Sequence, residues 1–242
     1  MKIIRAILIF ILPSIILRLC FKIFGGGHFI LKRNAKIGFS FIMCDNLILE
    51  DNASIGHFNF IKCKKLFFHK NASIKHLNLI KGAFEVILDE SAWIRNQNKI
   101  SANSDTYHNV TLLLKKGAKI GVRHLLDMTD SISLGEFSML AGADTQIWTH
   151  SFLFSQSSNK FIRLDAPVCI GKYCYIGARS TILSSVTIGD GITIGASTCV
   201  SKSIYKQGLY ISQNLSFKEF DPDMKMKSLG KSDYQSFIYK KK

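Results

Sequence analysis

The sequence predicts an all-β fold, a parallel β-helix wound from hexapeptides, with an apolar helix ahead of it and a loop thrown out of it. Three observations carry that expectation: a run of six-residue repeats, a looser return of the same pattern earlier, and one break in register beside a histidine. The clearest run is 168–204, in which Ile170, Ile176, Ile182, Ile188, Ile194 and Val200 recur at every sixth place. Smaller or branched residues stand two places before each of them: Val168, Cys174, Ser180, Val186, Ile192 and Thr198. A period of six marks neither a helix face nor one ordinary strand; three sixes make one triangular coil of a β-helix. The aliphatics are expected to stack inside. Gly171, Gly177, Gly189 and Gly195, which follow four of them, are expected to supply a positive φ at the corners.

Ahead of that run the pattern is weaker but consistent. LILEDNASIG (47–56), LFFHKNASIK (66–75), VILDESAWIR (86–95), LLLKKGAKIG (112–121), ISLGEFSMLA (132–141), VCIGKYCYIG (168–177) and VTIGDGITIG (186–195) align. Their starts are 19, 20, 26, 20, 36 and 18 residues apart. Steps of 18 to 20 are single coils, the 26 implies an insertion near 98–108, and the 36 implies one further coil plus a loop. Such stacking buries one continuous core, so 28–205 is expected to be a single domain. After Ile204 the repeat stops, and 206–242 is expected to leave the helix and end as a polar tail.

The first 27 residues differ in kind. Between Arg5 and Arg18 lie twelve uncharged, mostly apolar residues, short of a bilayer's ~30 Å hydrocarbon core. Pro13 should break any helix there, and Gly25, Gly26 and Gly27 form a hinge into the body. Net charge is +15, and no acidic residue precedes Asp45. That concentration of cations favours an anionic membrane surface over a nucleic-acid groove. An interfacial anchor is therefore expected, with a spanning segment or a helix packed in the protein's own trimer as alternatives. The expected location is the cytoplasmic face of the inner membrane. Six cysteines stand at 20, 44, 63, 169, 174 and 199 with no CxxC, so reduced packing residues are expected and no metal site.

The break in register lies between Ala141 and Val168, where Ile147-Trp148-Thr149-His150 is followed by seventeen residues before the coil resumes. Loops extruded from a rigid scaffold concentrate function. The six other histidines stand in or beside ordinary coils and read as surface or corner residues.

On these residues the chain resembles the hexapeptide-repeat acyltransferases, and is similar to the sugar, capsule and O-antigen O-acetyltransferases among them. The resemblance rests on His150, the loop 151–167, the restart Pro167-Val168-Cys169-Ile170-Gly171, and the pair Ser201-Lys202. It implies a left-handed helix, a homotrimer, and acetyl-CoA lying between subunits against Gly177, Ala178, Gly195 and Ala196. It also implies His150 as general base and Ser201 and Lys202 beside the cofactor, with Lys202 meeting phosphate. The terminal segment departs from the family's pattern, keeping Asn214, with Lys218 standing in for a cation. Three carboxylates are open as the partner that orients His150: Asp144, Asp127 and Asp130. Trp148 and Asp144 are expected at the acceptor.

The leading expectation is an acetyl-CoA-dependent O-acetyltransferase acting on a cell-surface glycan or its nucleotide- or lipid-linked sugar precursor. N-acylation of an amino sugar needs the same base and stands as the alternative. A carbonic anhydrase on the same coil would need three histidines around a metal, and 168–205 has none. A non-catalytic trimeric scaffold is the remaining reading.

Overall fold

A computed structural model describes residues 2–24, 28–102, 109–155, 160–212, 216–220, 230–231 and 239–240. It is a left-handed parallel β-helix of about nine turns behind two short helices. Each coil lays one strand on each of three faces. The first face runs from Phe29–Leu31 through Asn46–Leu49 to Thr187–Ile188, the second from Lys36–Ile37 to Gly208–Ile211, and the third from Phe41–Met43 to Cys199–Val200. Ladder neighbours confirm the repeat alignment: Leu47 pairs with Leu66, Leu66 with Val86, Val86 with Leu112, Leu112 with Ile132, and Ile132 with Val168. All six aliphatics of the 168–204 series are buried, at 3 % exposure or less.

Four expectations change. Ile132–Leu134 pairs directly with Val168–Ile170, so the 36-residue step holds no additional coil. Its surplus is an antiparallel hairpin of His150–Ser155 against Lys160–Asp165. The solenoid also runs past 205: Gly208–Ile211 continues the second face in parallel, and Ser216–Lys218 closes it antiparallel. The corner glycines serve a different end from the one expected. Positive φ falls two residues later, at Tyr173, Arg179, Gly191 and Ser197. Gly177 is needed instead because a Cβ there would lie 2.6 Å from the backbone nitrogen of Ala196 on the next coil. Close stacking of coils, rather than the turn itself, excludes a side chain. Lastly, His124 is buried rather than superficial.

His124 belongs to a polar ladder inside the second corner, between the second and third faces. Asn59 donates from Nδ2 to the Lys75 carbonyl (2.7 Å), Asn78 to Oδ1 of Asn59 (3.0 Å), and Asn98 to Oδ1 of Asn78 (3.0 Å). The His124 amide donates to Oδ1 of Asn98 (2.9 Å), and the Thr145 amide donates to Nδ1 of His124 (3.0 Å). Stacked identical positions let one amide side chain serve the next coil, which satisfies the asparagine amides without water, whereas Nε2 of His124 is buried without a hydrogen-bond partner among the described residues.

Pro13 ends the first helix as expected, leaving α1 (Lys2–Ile11) and α2 (Ser14–Phe24). Their inner faces close the open end of the solenoid: Ala6, Ile9 and Leu17 are buried, and Ile9 and Leu17 join the core. Ser14 Oγ donates to the Ile37 carbonyl and accepts from the Ile37 amide. No helix is long and apolar enough to cross a membrane among the described residues. The glycine hinge at 25–27, Asn214, most of the insertion at 98–108 and most of the tail lie outside the described residues.

Candidate active site

The third corner, where the third face turns into the first, holds His150 and Trp148 together with Asp127 and Asp130. Pairing of Leu126 with Ile147 sets the coil of Asp127 beside that of His150. The Asp127 carboxylate Oδ2 lies 2.7 Å from His150 Nδ1, with the two side chains 7 % and 15 % exposed. Of the three carboxylates left open, Asp127 is the one that reaches the imidazole.

Asp127 is itself held on every side. Thr129 Oγ1 donates to Oδ1 (2.7 Å); the Thr149 amide (2.9 Å) and Thr149 Oγ1 (2.9 Å) donate to Oδ2. Burial by itself would raise its pKa. The hydrogen bonds from Thr129, Thr149 and His150 outweigh that, so the carboxyl titrates below its ordinary value and stays ionised. An ionised acceptor at Nδ1 fixes the tautomer with its proton on Nδ1 and the basic lone pair on Nε2. Trp148 and Phe152 meet the ring edge-on, with centroids 6.0 and 5.5 Å away. The ring is thereby oriented from both flanks, and Trp148 ties its own Nε1 to Gln146 Oε1 (3.0 Å).

Asp144 is corrected. It stands at the second corner, across the third face from His150, where Arg123 forks onto both its oxygens at 3.1 Å. That fork lowers its pKa and occupies both oxygens, so Asp144 neither orients the base nor stands beside Trp148. Asp130 does adjoin the site, but its Oδ1 accepts the Ser131 amide (2.6 Å) and its own amide donates to Thr149 Oγ1 (2.8 Å).

The remaining candidates divide between two edges of the third face. Ile147, Ile182 and Val200 are successive ladder partners, so Ser201 and Lys202 follow on the third corner two coils beyond Trp148 and Thr149, at ~10 Å of solenoid height. Both are exposed. Gly177, Ala178, Gly195 and Ala196 stack instead at the second corner, in line with Gly142, whose added Cβ would meet that of Ala178 at 2.7 Å. This column offers backbone and methyl groups with no long side chain, a smooth edge on which an extended ligand can lie close. Among the described residues no three His, Cys, Asp or Glu side chains gather as a metal site.

Thr129 and Thr149 were not singled out from sequence. The signal was present in the repeat alignment, whose 20-residue step from 112 to 132 sets 125–129 beside 145–149, one residue short of the observed pairing of Leu125 with Gln146.

Similar solved structures include the polysialic-acid-specific acetyltransferase NeuO, at 14% identity over 78% of this chain and 85% of that one, TM-score 0.40. A hexapeptide-repeat acetyltransferase of Vibrio cholerae O1 biovar eltor, complexed with acetyl coenzyme A, is 16% identical over 61% and 66%, TM-score 0.40. AntD, an N-acyltransferase of Bacillus cereus in complex with dTDP and 3-hydroxybutyryl-CoA, is 17% identical over 85% and 90%, TM-score 0.35. No curated protein matches this chain. Residues 167–202 match the family described as the hexapeptide repeat of succinyl-transferase, and that stretch carries Gly177, Ala178, Gly195, Ala196, Ser201 and Lys202.

Proposed function

We propose that this protein is an acetyl-CoA-dependent O-acetyltransferase that modifies a hydroxyl of a cell-surface polysaccharide or of its nucleotide- or lipid-linked sugar precursor. The observation that carries the reading is the 2.7 Å contact between Asp127 and His150 at the root of the hairpin, beside Trp148. Nε2 of His150 takes the proton of the acceptor hydroxyl as that oxygen attacks the acyl carbonyl. Asp127 stabilises the resulting imidazolium without taking its proton. The imidazolium then returns the proton to the departing thiolate. Coenzyme A, when bound, supplies the activated thioester. The small-residue column at the second corner suits its backbone-hugging arm, and Lys202 offers an ammonium to phosphate. An amine acceptor would use the same dyad, which is the alternative N-acyl chemistry.

The hairpin supports a homotrimer. Phe152, Leu153, Phe154, Phe161, Ile162 and Leu164 are all at least 43 % exposed, on both faces of a two-stranded ribbon. An isolated hairpin with two apolar faces is marginal in water and is stabilised by packing on a neighbouring copy.

The amino end supports a seat on the cytoplasmic face of the inner membrane. The outward faces of α1 and α2 present Ile3, Ile4, Ile7, Ile11, Ile15 and Leu19, with Ile15 78 % exposed. Two of the cations that sequence assigned to head groups turn inward instead: Arg5 lies 3.9 Å over the Phe29 ring and Arg18 donates to the Ala35 carbonyl. The apolar faces therefore carry more of the proposed binding than charge does.

Titration with acetyl-CoA, followed by mass spectrometry of glycans incubated with both, tests the function. Acetyl-CoA that is neither bound nor consumed would leave the scaffold reading.

A further inference from the structure

The second face lies opposite the His150 corner, and in its middle coils it departs from a flat ridged surface. Ser73, Ser91 and Gly117 leave a trough there of about 650 Å3, within the ~300–1,000 Å3 of small-molecule sites. Gly117 keeps its floor open: a Cβ would lie 2.7 Å from the Phe137 ring, which closes one end. Trp93 rises from the trough. Its ladder neighbours are Ser73 and Lys119, so it shares their outward column, while Ile94 fills the core.

Three cations surround this indole. The Arg95 guanidinium stands 6.0 Å and the Lys119 ammonium 5.7 Å from a Trp93 ring centroid, and Lys75 lines the same trough on the preceding coil. Among the described residues no carboxylate lines the trough. The nearest acids along the sequence are engaged elsewhere: Asp89 with Lys115 and His69, and Glu90 with Lys116. Both cations lie over the indole ring at the long end of cation–π reach, about 6 Å, a contact loose enough to be exchanged for a ligand.

We propose that this trough binds an anionic saccharide chain, with Trp93 stacking on the apolar face of a sugar ring and Lys75, Arg95 and Lys119 meeting its carboxylates. The pairing of an aromatic plate with unopposed cations matches a ligand that is apolar on one face and anionic at its rim. A groove running along the solenoid axis, over the four coils from Asn71 to Phe137, suits a chain better than one small sugar. The proposal deepens the sugar-acyltransferase reading by making the acceptor an acidic polymer, gripped at a distance from the base so that its effective concentration at the reacting end rises.

The test is calorimetric titration of the full-length protein with uronate-bearing oligosaccharides (hyaluronan fragments of increasing length) and with neutral dextran of matched length, which requires no catalysis. Hyaluronan is expected to bind, more tightly as length grows, and dextran to bind far less. Trp93→Ala with Arg95→Gln and Lys119→Gln should weaken that binding by about tenfold or more, whereas Lys62→Gln, Lys81→Gln and Lys99→Gln on the third face should change it by less than about twofold. Trp93→Phe alone should keep most of the affinity and guards against a misfolded triple variant. Equal loss from both triple variants would reduce the effect to bulk charge and overturn the proposal, as would no binding of any fragment. Sedimentation that shows the Trp93 variants falling to monomers would make the trough an interface between copies, which also overturns it. Absence of acetyl transfer would count against the enzymatic reading alone, because binding is measured separately.

Discussion

Nδ1 of His150 lies 2.7 Å from Oδ2 of Asp127, a residue of the preceding coil whose carboxylate also accepts from Thr129 and Thr149. His150→Ala is expected to lower turnover by about 10²–10⁴-fold, the range for a lost general base, with acetyl-CoA affinity little changed. Asp127→Asn keeps the shape but loses the charge that holds the tautomer, so its turnover should fall within about the same range while its melting temperature moves little. Wild-type turnover in either variant removes the dyad from the mechanism.

Lys202 stands exposed on the same corner, two coils beyond the base. Lys202→Glu should weaken coenzyme A more than dephospho-coenzyme A if its ammonium meets the 3′-phosphate. Calorimetry with both ligands decides the point, and equal weakening would place the lysine elsewhere.

His124 makes stability depend on pH. Burial, the dominant effect, opposed in part by the nearby Leu140 carbonyl, lowers its pKa from 6.5 to about 4. The unfolded chain protonates this group near 6.5, whereas the folded chain resists until about 4. Stability is therefore fully present above 6.5 and declines as pH falls towards 4, by on the order of 3 kcal/mol in all. Melting curves between neutrality and pH 4 should show that slope, and His124→Gln should flatten it. An unchanged slope would assign the acid sensitivity to other groups.

Gly177 sits under the next coil, with room for hydrogen alone. Gly177→Ala should destabilise by about 1–3 kcal/mol, as overpacking does, and denaturant titration measures it. A neutral result would mean that the coils separate there at little cost.

Ile9 and Leu17 belong to the core, whereas Ile4, Ile11 and Ile15 face outward. Deleting residues 1–24 should therefore uncover the end of the solenoid and cause aggregation. Replacing Ile4, Ile11 and Ile15 by Glu should abolish sedimentation with anionic vesicles while leaving the melting temperature within a few degrees. Retained vesicle binding in that variant would sink the membrane seat.

Sequence by itself determined the solenoid. Identical environments recur with every coil, so the period writes the core directly: Leu47, Leu66, Val86, Leu112, Ile132 and Val168 could be stacked in register before any coordinate was known. The same periodicity marked His150, because the histidine stands where the period fails. Tertiary structure decided what periodicity leaves equivalent. Asp127 and Asp144 both stand within a coil or so of His150 along the chain, yet only the corner on which each lies separates a base-orienting carboxylate from one held in Arg123's fork. Gly177 tells the same story, since its reason is the 2.6 Å approach of another coil rather than its own φ. Local sequence carries local conformation and burial; which side chains meet across coils depends on stacking, and stacking exists only once the chain has wound upon itself.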